Sequence, residues 1–146
     1  MKKVFLSGLV AGVVILAAQV VLSMFVFDKL IPSLADEYKN PSLFRPWSDP
    51  LMSLMYVTPF IGGFIMAWIW NYIKSAFNNF SPSTAGLMLG FMVWLLGLPG
   101  MVISYGTFPI SFIMVLSWTL SNLIQLPLGG LVIANMNKPN LVTSPA

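Results

Sequence analysis

The residues of this chain that could do chemistry are few, and two types are missing altogether. There is no Cys and no His in the 146 residues. That removes disulfides, thiolate nucleophiles and Cys metal sites, together with the commonest general base and the commonest metal or haem ligand. The acid–base candidates that remain are Asp28, Asp36, Glu37 and Asp49. All four sit in one polar stretch with Lys29, Lys39 and Arg45 interleaved. Asp36 and Glu37 are adjacent and point apart on a helix, while Asp28 and Asp49 flank two apolar segments and are placed to approach each other. A catalytic pair needs burial to move a pKa, so a solvated, self-paired loop is expected instead. Met52 and Met55, and Met88 and Met92, offer soft thioethers that suit Cu(I); without Cys or His beside them they read as adaptable packing. No phosphate loop, dinucleotide fingerprint or nucleophile elbow occurs. The expectation is a protein without enzymatic chemistry, cofactor or metal.

A second constellation lies in the last apolar segment. At about 100° per residue, Ser111, Met114, Trp118, Ser121, Asn122, Gln125 and Gly129 fall on one helix face. Gln19, in the first apolar segment, lies within about one helical turn of the depth of Asn122. Lipid offers no hydrogen bonds, so a polar stripe of this kind must face protein or a cavity. Two readings follow. The first is glue between helices, at about 0.6 to 2 kcal/mol per contact; the second is a small polar binding site. Glue is ranked first.

The elements that must position these residues are membrane spans. Hydrophobic residues make up 58% of the chain and charged residues 8%, against about 25% charged in a soluble domain. Residues 4–27, 51–70, 84–105 and 109–135 are each long enough to cross ~30 Å of hydrocarbon. Val4 to Phe27 exceeds the ~7–15 residues of a signal-peptide core and reads as an uncleaved first span. The fold class is therefore all-α, a single four-span membrane bundle with one polar loop over residues 28–50. Leu30 to Tyr38 suits a short interfacial helix, and Asp49-Pro50 suits a helix start. Pro59 and Pro99 are expected to kink their helices, Pro109 is expected in the first turn of the last one, and the tail from Met136 is expected to be mobile.

Phe44, Arg45 and Trp47 before the second span, and Trp68, Trp70 and Tyr72 at its end, suit headgroup anchors. Lys2, Lys3, Lys74 and Lys138 fall on one side, and Lys29, Lys39 and Arg45 on the other. The two lysines beside the first span tip the balance, which puts both termini in the cytoplasm and the polar loop outside a cell membrane. The net charge of +3 is scattered and is no nucleic-acid footprint.

Small residues suggest how the helices pack. Gly8 and Gly12, and Gly86 and Gly90, form small-xxx-small pairs. Gly62-Gly63-Phe64-Ile65-Met66-Ala67 resembles Gly129-Gly130-Leu131-Val132-Ile133-Ala134. The first span then corresponds to the third and the second to the fourth, a duplicated helical hairpin. Against this stands the recurrence of small-residue patterns in any membrane helix. Closest approach is expected between the first, third and fourth spans, at the cytoplasmic ends that carry Gly8, Gly12, Gly86, Gly90, Gly129 and Gly130.

Two stretches carry a likeness. Leu43-Phe44-Arg45-Pro46-Trp47-Ser48-Asp49-Pro50-Leu51-Met52-Ser53-Leu54 leads into the second span. Ile103-Ser104-Tyr105-Gly106-Thr107-Phe108-Pro109 is followed by Val115-Leu116-Ser117-Trp118-Thr119-Leu120. Together they resemble a family of small, uncharacterised four-span prokaryotic membrane proteins. The likeness implies a four-helix architecture and no chemistry. The function expected first is a structural or accessory subunit of a membrane assembly, self-associated or joined to other membrane subunits and in contact with lipid. The alternative is a carrier or binding protein for a small neutral or lipidic molecule, which would show a cavity reaching Asn122 and Gln125.

Overall fold

The computed structural model describes residues 2–25 and 29–138. They form five α-helices: α1 (Lys2–Phe25), α2 (Pro32–Tyr38), α3 (Thr58–Ile73), α4 (Pro82–Thr107) and α5 (Phe112–Met136). A 3-10 segment, Pro50–Tyr56, precedes α3 and another, Lys74–Phe77, follows it. No strand occurs among the described residues. Four helical stretches are long and apolar enough to cross a membrane, the second being Pro50–Phe77 with its 3-10 ends. Asp28, and with it the expected approach of Asp28 to Asp49, lies outside the described residues, as do the end of the first span at Val26 and Phe27 and the tail from residue 139.

Local chemistry sets the helix starts. The Ser81 hydroxyl accepts from the Thr84 N–H at 3.2 Å, with Pro82 in the first turn of α4. The Ser111 hydroxyl accepts from the Met114 N–H at 3.1 Å. That cap moves the start of α5 to Phe112, so Pro109 precedes the helix instead of sitting in its first turn. The Asp49 carboxylate accepts from the Leu51 N–H at 2.9 Å and starts the 3-10 segment, again with a proline, Pro50, in the first turn. The second span is not one regular helix. The 3-10 segment ends at Tyr56 and α3 begins at Thr58, which puts Pro59 in a first turn where its missing N–H costs nothing. Thr58 Oγ1 donates to the Met55 carbonyl at 2.9 Å and occupies the acceptor that Pro59 cannot use.

Backbone approach at glycine builds two alike hairpins. In the first, a Cβ on Gly8 would lie 3.0 Å from Phe64 Cα, one on Gly12 would lie 2.8 Å from Phe60 Cα, and one on Gly63 would lie 2.8 Å from the Gly12 nitrogen. In the second, a Cβ on Gly86 would lie 2.8 Å from Leu131 Cα, one on Gly90 would press on Pro127 Cα, and one on Gly130 would lie 3.0 Å from the Gly90 nitrogen. Gly8, Gly12 and Gly63 thus occupy the places of Gly86, Gly90 and Gly130, and α1 meets α3 as α4 meets α5. The expected close approach of the third and fourth spans is therefore present at Gly86, Gly90 and Gly130, whereas the first span makes its closest approach to the second, at Gly8 and Gly12, and not to the third. Gly129 works between hairpins, where a Cβ would lie 2.6 Å from Ile15 Cδ1. Gly62 departs from the packing expectation. A Cβ there would meet nothing within 4 Å, because it points away from the face that Gly63 gives to α1.

The hairpins dock unequally. α1 packs along α5, whereas the counterpart pair, α4 and α3, meets only slightly. The core gathers at the end holding the start of α1 and the end of α5, around Ala11, Met66, Ala67, Trp70, Phe77, Ala85, Leu89 and Ile133. There Trp70 Nε1 donates to the Asn137 carbonyl at 2.8 Å. Trp70 is fully buried, while Trp68 and Tyr72 are exposed and pack edge to face. Trp70 is therefore no headgroup anchor. Two residues along a helix is a turn of about 200°, so it points opposite to its neighbours.

Candidate functional site

At the other end the bundle opens. Past Gly12, α1 carries Ile15 and Gln19 in place of small residues, and across from them the second span is a 3-10 segment. The space left is a cavity of about 480 Å³. Gln19 and Ser23 of α1 line one wall, and Ser117, Trp118, Ser121, Asn122 and Gln125 of α5 another. Met55 and Met101 line the remaining side, and Ala35, Tyr38, Lys39 and Trp47 close over the top. The volume falls in the ~300–1,000 Å³ range of small-molecule sites.

The polar groups divide into those with partners and those without. The Ser117 and Ser23 hydroxyls donate to carbonyls of their own helices, Met114 at 2.7 Å and Val20 at 3.1 Å. The side chains of Gln19, Ser121, Asn122 and Gln125 make no hydrogen bond to another described residue. Gln125 is 5% exposed, and it lines the cavity. The Met55 carbonyl, left without a backbone N–H partner by Pro59, is taken by the Thr58 hydroxyl. Asn122 also borders a small hollow between α4 and α5 that Trp94 and Met101 share.

The roof is strapped to α5. Glu37 grips the first turn of α5, accepting from the Ser111 N–H and the Ser111 hydroxyl, each at 2.6 Å. A carboxylate there is favoured twice, by hydrogen bonds to a charged acceptor and by the positive end of the helix dipole. One residue on, Trp118 Nε1 donates to Tyr38 Oη. Phe44 packs on Tyr38 with centroids 4.8 Å apart and meets Trp118 edge-on at 6.3 Å. Leu34 is buried beneath α2 at 1% exposure. Burial pushes the Tyr38 phenol above its ordinary value near 10; the hydrogen bond from Trp118 works against this, and the charge of Glu37 adds to it. Arg45 binds Asp49 at 2.9 Å. The Leu51 N–H and then Arg45 hold the Asp49 carboxyl below its ordinary value.

The stripe expected on α5 is therefore real from Trp118 to Gln125, and Gln19 faces the same space. Ser111 does not join it. Its hydroxyl is the α5 cap and the seat of Glu37. Glu37, expected as one of several solvated loop charges, is the tie that closes the roof. Phe44, expected at the headgroups, turns inward to the aromatic cluster. Trp47 stays 55% exposed but also lines the cavity. Sequence reasoning missed Tyr38, whose partner Trp118 is 80 residues away, and no local spacing signals that pairing. No family model, curated protein or solved structure matches the chain, so the reading of the site rests on these residues.

Proposed function

We propose that the protein is a multi-pass membrane protein of the cell membrane that binds or carries a small molecule in the cavity between its hairpins. It is non-catalytic, with both termini cytoplasmic and the cavity mouth outside. What supports this over the accessory-subunit reading is the placement of Asn122 and Gln125. Each carboxamide carries two donors and an acceptor, and leaving these unpaired in an apolar setting costs several kcal/mol. Glue would pair them across helices; here they face a cavity of binding-site size. The small-residue pairs are used inside the bundle, Gly8, Gly12, Gly63, Gly86, Gly90 and Gly130 within the hairpins and Gly129 between them, so these glycines lend no support to an oligomeric face.

The test is Asn122→Leu in protein purified in mild detergent. The binding reading expects unchanged assembly, unchanged thermal unfolding and loss of the co-purifying small molecule. A stability loss in the interhelical range of about 0.6 to 2 kcal/mol, with no change in bound small molecules, would restore the accessory-subunit reading.

A further inference from the structure

Among the described residues that line the cavity, the amide and hydroxyl side chains without a partner all lie deep, and that order of chemistry says what the occupant is. Gln125 stands about 20 Å along α5 from Phe112, at 1.5 Å per residue, roughly half-way down the helix. Gln19, Ser121 and Asn122 join it there. Nearer the mouth the lining turns aromatic, with Trp118, Tyr38 and Trp47. Among the described lining residues Lys39 is the one ionisable cation. It stands at the rim, 3.6 Å from Asp36, and both side chains are largely exposed. No acid lines the cavity among the described residues.

A lipid fits this order badly. Lying as it does in a leaflet, it would put its headgroup at the aromatic mouth and its acyl chain on unpaired carboxamides. That contact leaves polar groups without hydrogen bonds. Reversed, it would put its headgroup at mid-membrane and thread its chains out through a polar loop. An ion also fits badly, because the deep end offers dipoles and no counter-charge, and desolvating an unpaired charge is costly. Carboxamides and a serine hydroxyl instead complement a group that both donates and accepts, such as an amide or a set of hydroxyls. The rings above suit a flat face.

We propose, resting on the binding reading above, that the occupant is an uncharged, water-soluble molecule that enters polar end first from the loop end. Its hydroxyl or amide group seats on Gln19, Asn122 and Gln125, and its flat face lies against Trp118 and Tyr38.

The chain has no native Cys, so single-cysteine chemistry tests this directly. Asn122→Cys, and separately Gln125→Cys, are made in the full chain, with Ser48→Cys in the exposed loop as the reference for intrinsic reactivity. Each is treated in membranes with hydroxyethyl, trimethylammonioethyl, sulfonatoethyl and dodecyl methanethiosulfonate. The expected result is that the neutral hydrophilic reagent modifies a deep site at least about tenfold faster than either charged reagent, relative to Ser48→Cys. Free uridine or nicotinamide, as uncharged flat solutes, should slow it. Equal rates for the charged reagents would overturn the assignment of an uncharged occupant. Modification by the dodecyl reagent alone would overturn the inference in favour of a lipid and leave the binding reading standing. No modification of either deep site by any reagent, with Ser48→Cys reactive, would sink both. The pair of deep variants guards against one failing to fold, which gel filtration reports.

Discussion

Glu37 and Tyr38 are neighbours that hold the same helix by different means. Glu37 meets α5 as a charge on a helix start, with both oxygens used by Ser111. Glu37→Gln keeps the shape and removes the charge, and should cost about 0.3–1 kcal/mol in thermal unfolding, less as salt is raised. Ser111→Ala removes the cap and one of the two bonds, and should cost about 0.5–2 kcal/mol with little salt dependence. Tyr38 is held as a neutral phenol between Trp118 and the apolar face beneath α2. Its raised pKa means that its contribution is fully present below pH 10 and is lost as pH rises through the higher folded value. The tyrosinate absorption of the wild type minus that of Tyr38→Phe should give a midpoint above 10. A midpoint at or below 10 would show that the roof does not bury this ring.

At the scale of the helix, glycine has two opposite meanings in this chain. At Gly130 and Gly90 the backbones touch, and a methyl group on Gly130 would press into the Gly86 carbonyl. Gly130→Ala should destabilise by about 1–3 kcal/mol through overpacking. Gly62 lies in the same type of doublet but opens onto free space. Gly62→Ala should stabilise by roughly 0.5–1 kcal/mol, the helix advantage of alanine over glycine. Thermal unfolding of the two variants side by side reads the difference in sign, and two losses would refute the pairing of hairpins described above. Asp49 starts the 3-10 segment that makes the second span irregular. Its carboxyl is held low, so the contribution of the cap is fully present above the ordinary value near 3.8 and is lost only as pH falls through the lower folded value. Trp47 fluorescence should therefore change on acidification in the wild type, and Asp49→Asn should remove that dependence.

For the molecule as a whole, what could be read from the sequence was what is local. The four apolar stretches stand where hydropathy puts them, because a window of twenty residues is enough to judge a span. The short helix expected over Leu30 to Tyr38 forms from Pro32 to Tyr38, with the proline in its first turn, and the Asp49-Pro50 start followed from cap chemistry. The stripe from Trp118 to Gln125 followed from the helical period. What could not be read is what joins distant segments. Glu37 and Ser111 are 74 residues apart, and nothing in either neighbourhood tells a solvated acid from a strap. The glycine doublets matched in sequence, yet only packing separates Gly63 from Gly62. Trp70 was readable by period, since Trp68 and Tyr72 share the face it leaves, but a cluster of aromatics near a helix end drew the whole group to the interface.

That strapped roof gives membrane orientation a functional consequence. The cavity has its mouth beside Tyr38, Lys39 and Trp47, at the end away from Lys2, Lys74 and the end of α5. Lysines beside the first span favour the side that holds Lys2 as cytoplasmic, since the first helix usually dominates orientation. If so, the mouth faces outward and the occupant arrives from outside the cell. Ser42 lies in the exposed loop and Ser75 in the exposed turn after α3. In intact cells an impermeant thiol reagent should label Ser42→Cys and spare Ser75→Cys, which should react only after permeabilisation. The opposite pattern would turn the bundle over and make the cavity a site for a cytoplasmic solute. Labelling of both in intact cells would place the two loops on one side, and with them the α3 segment between would not cross the membrane at all.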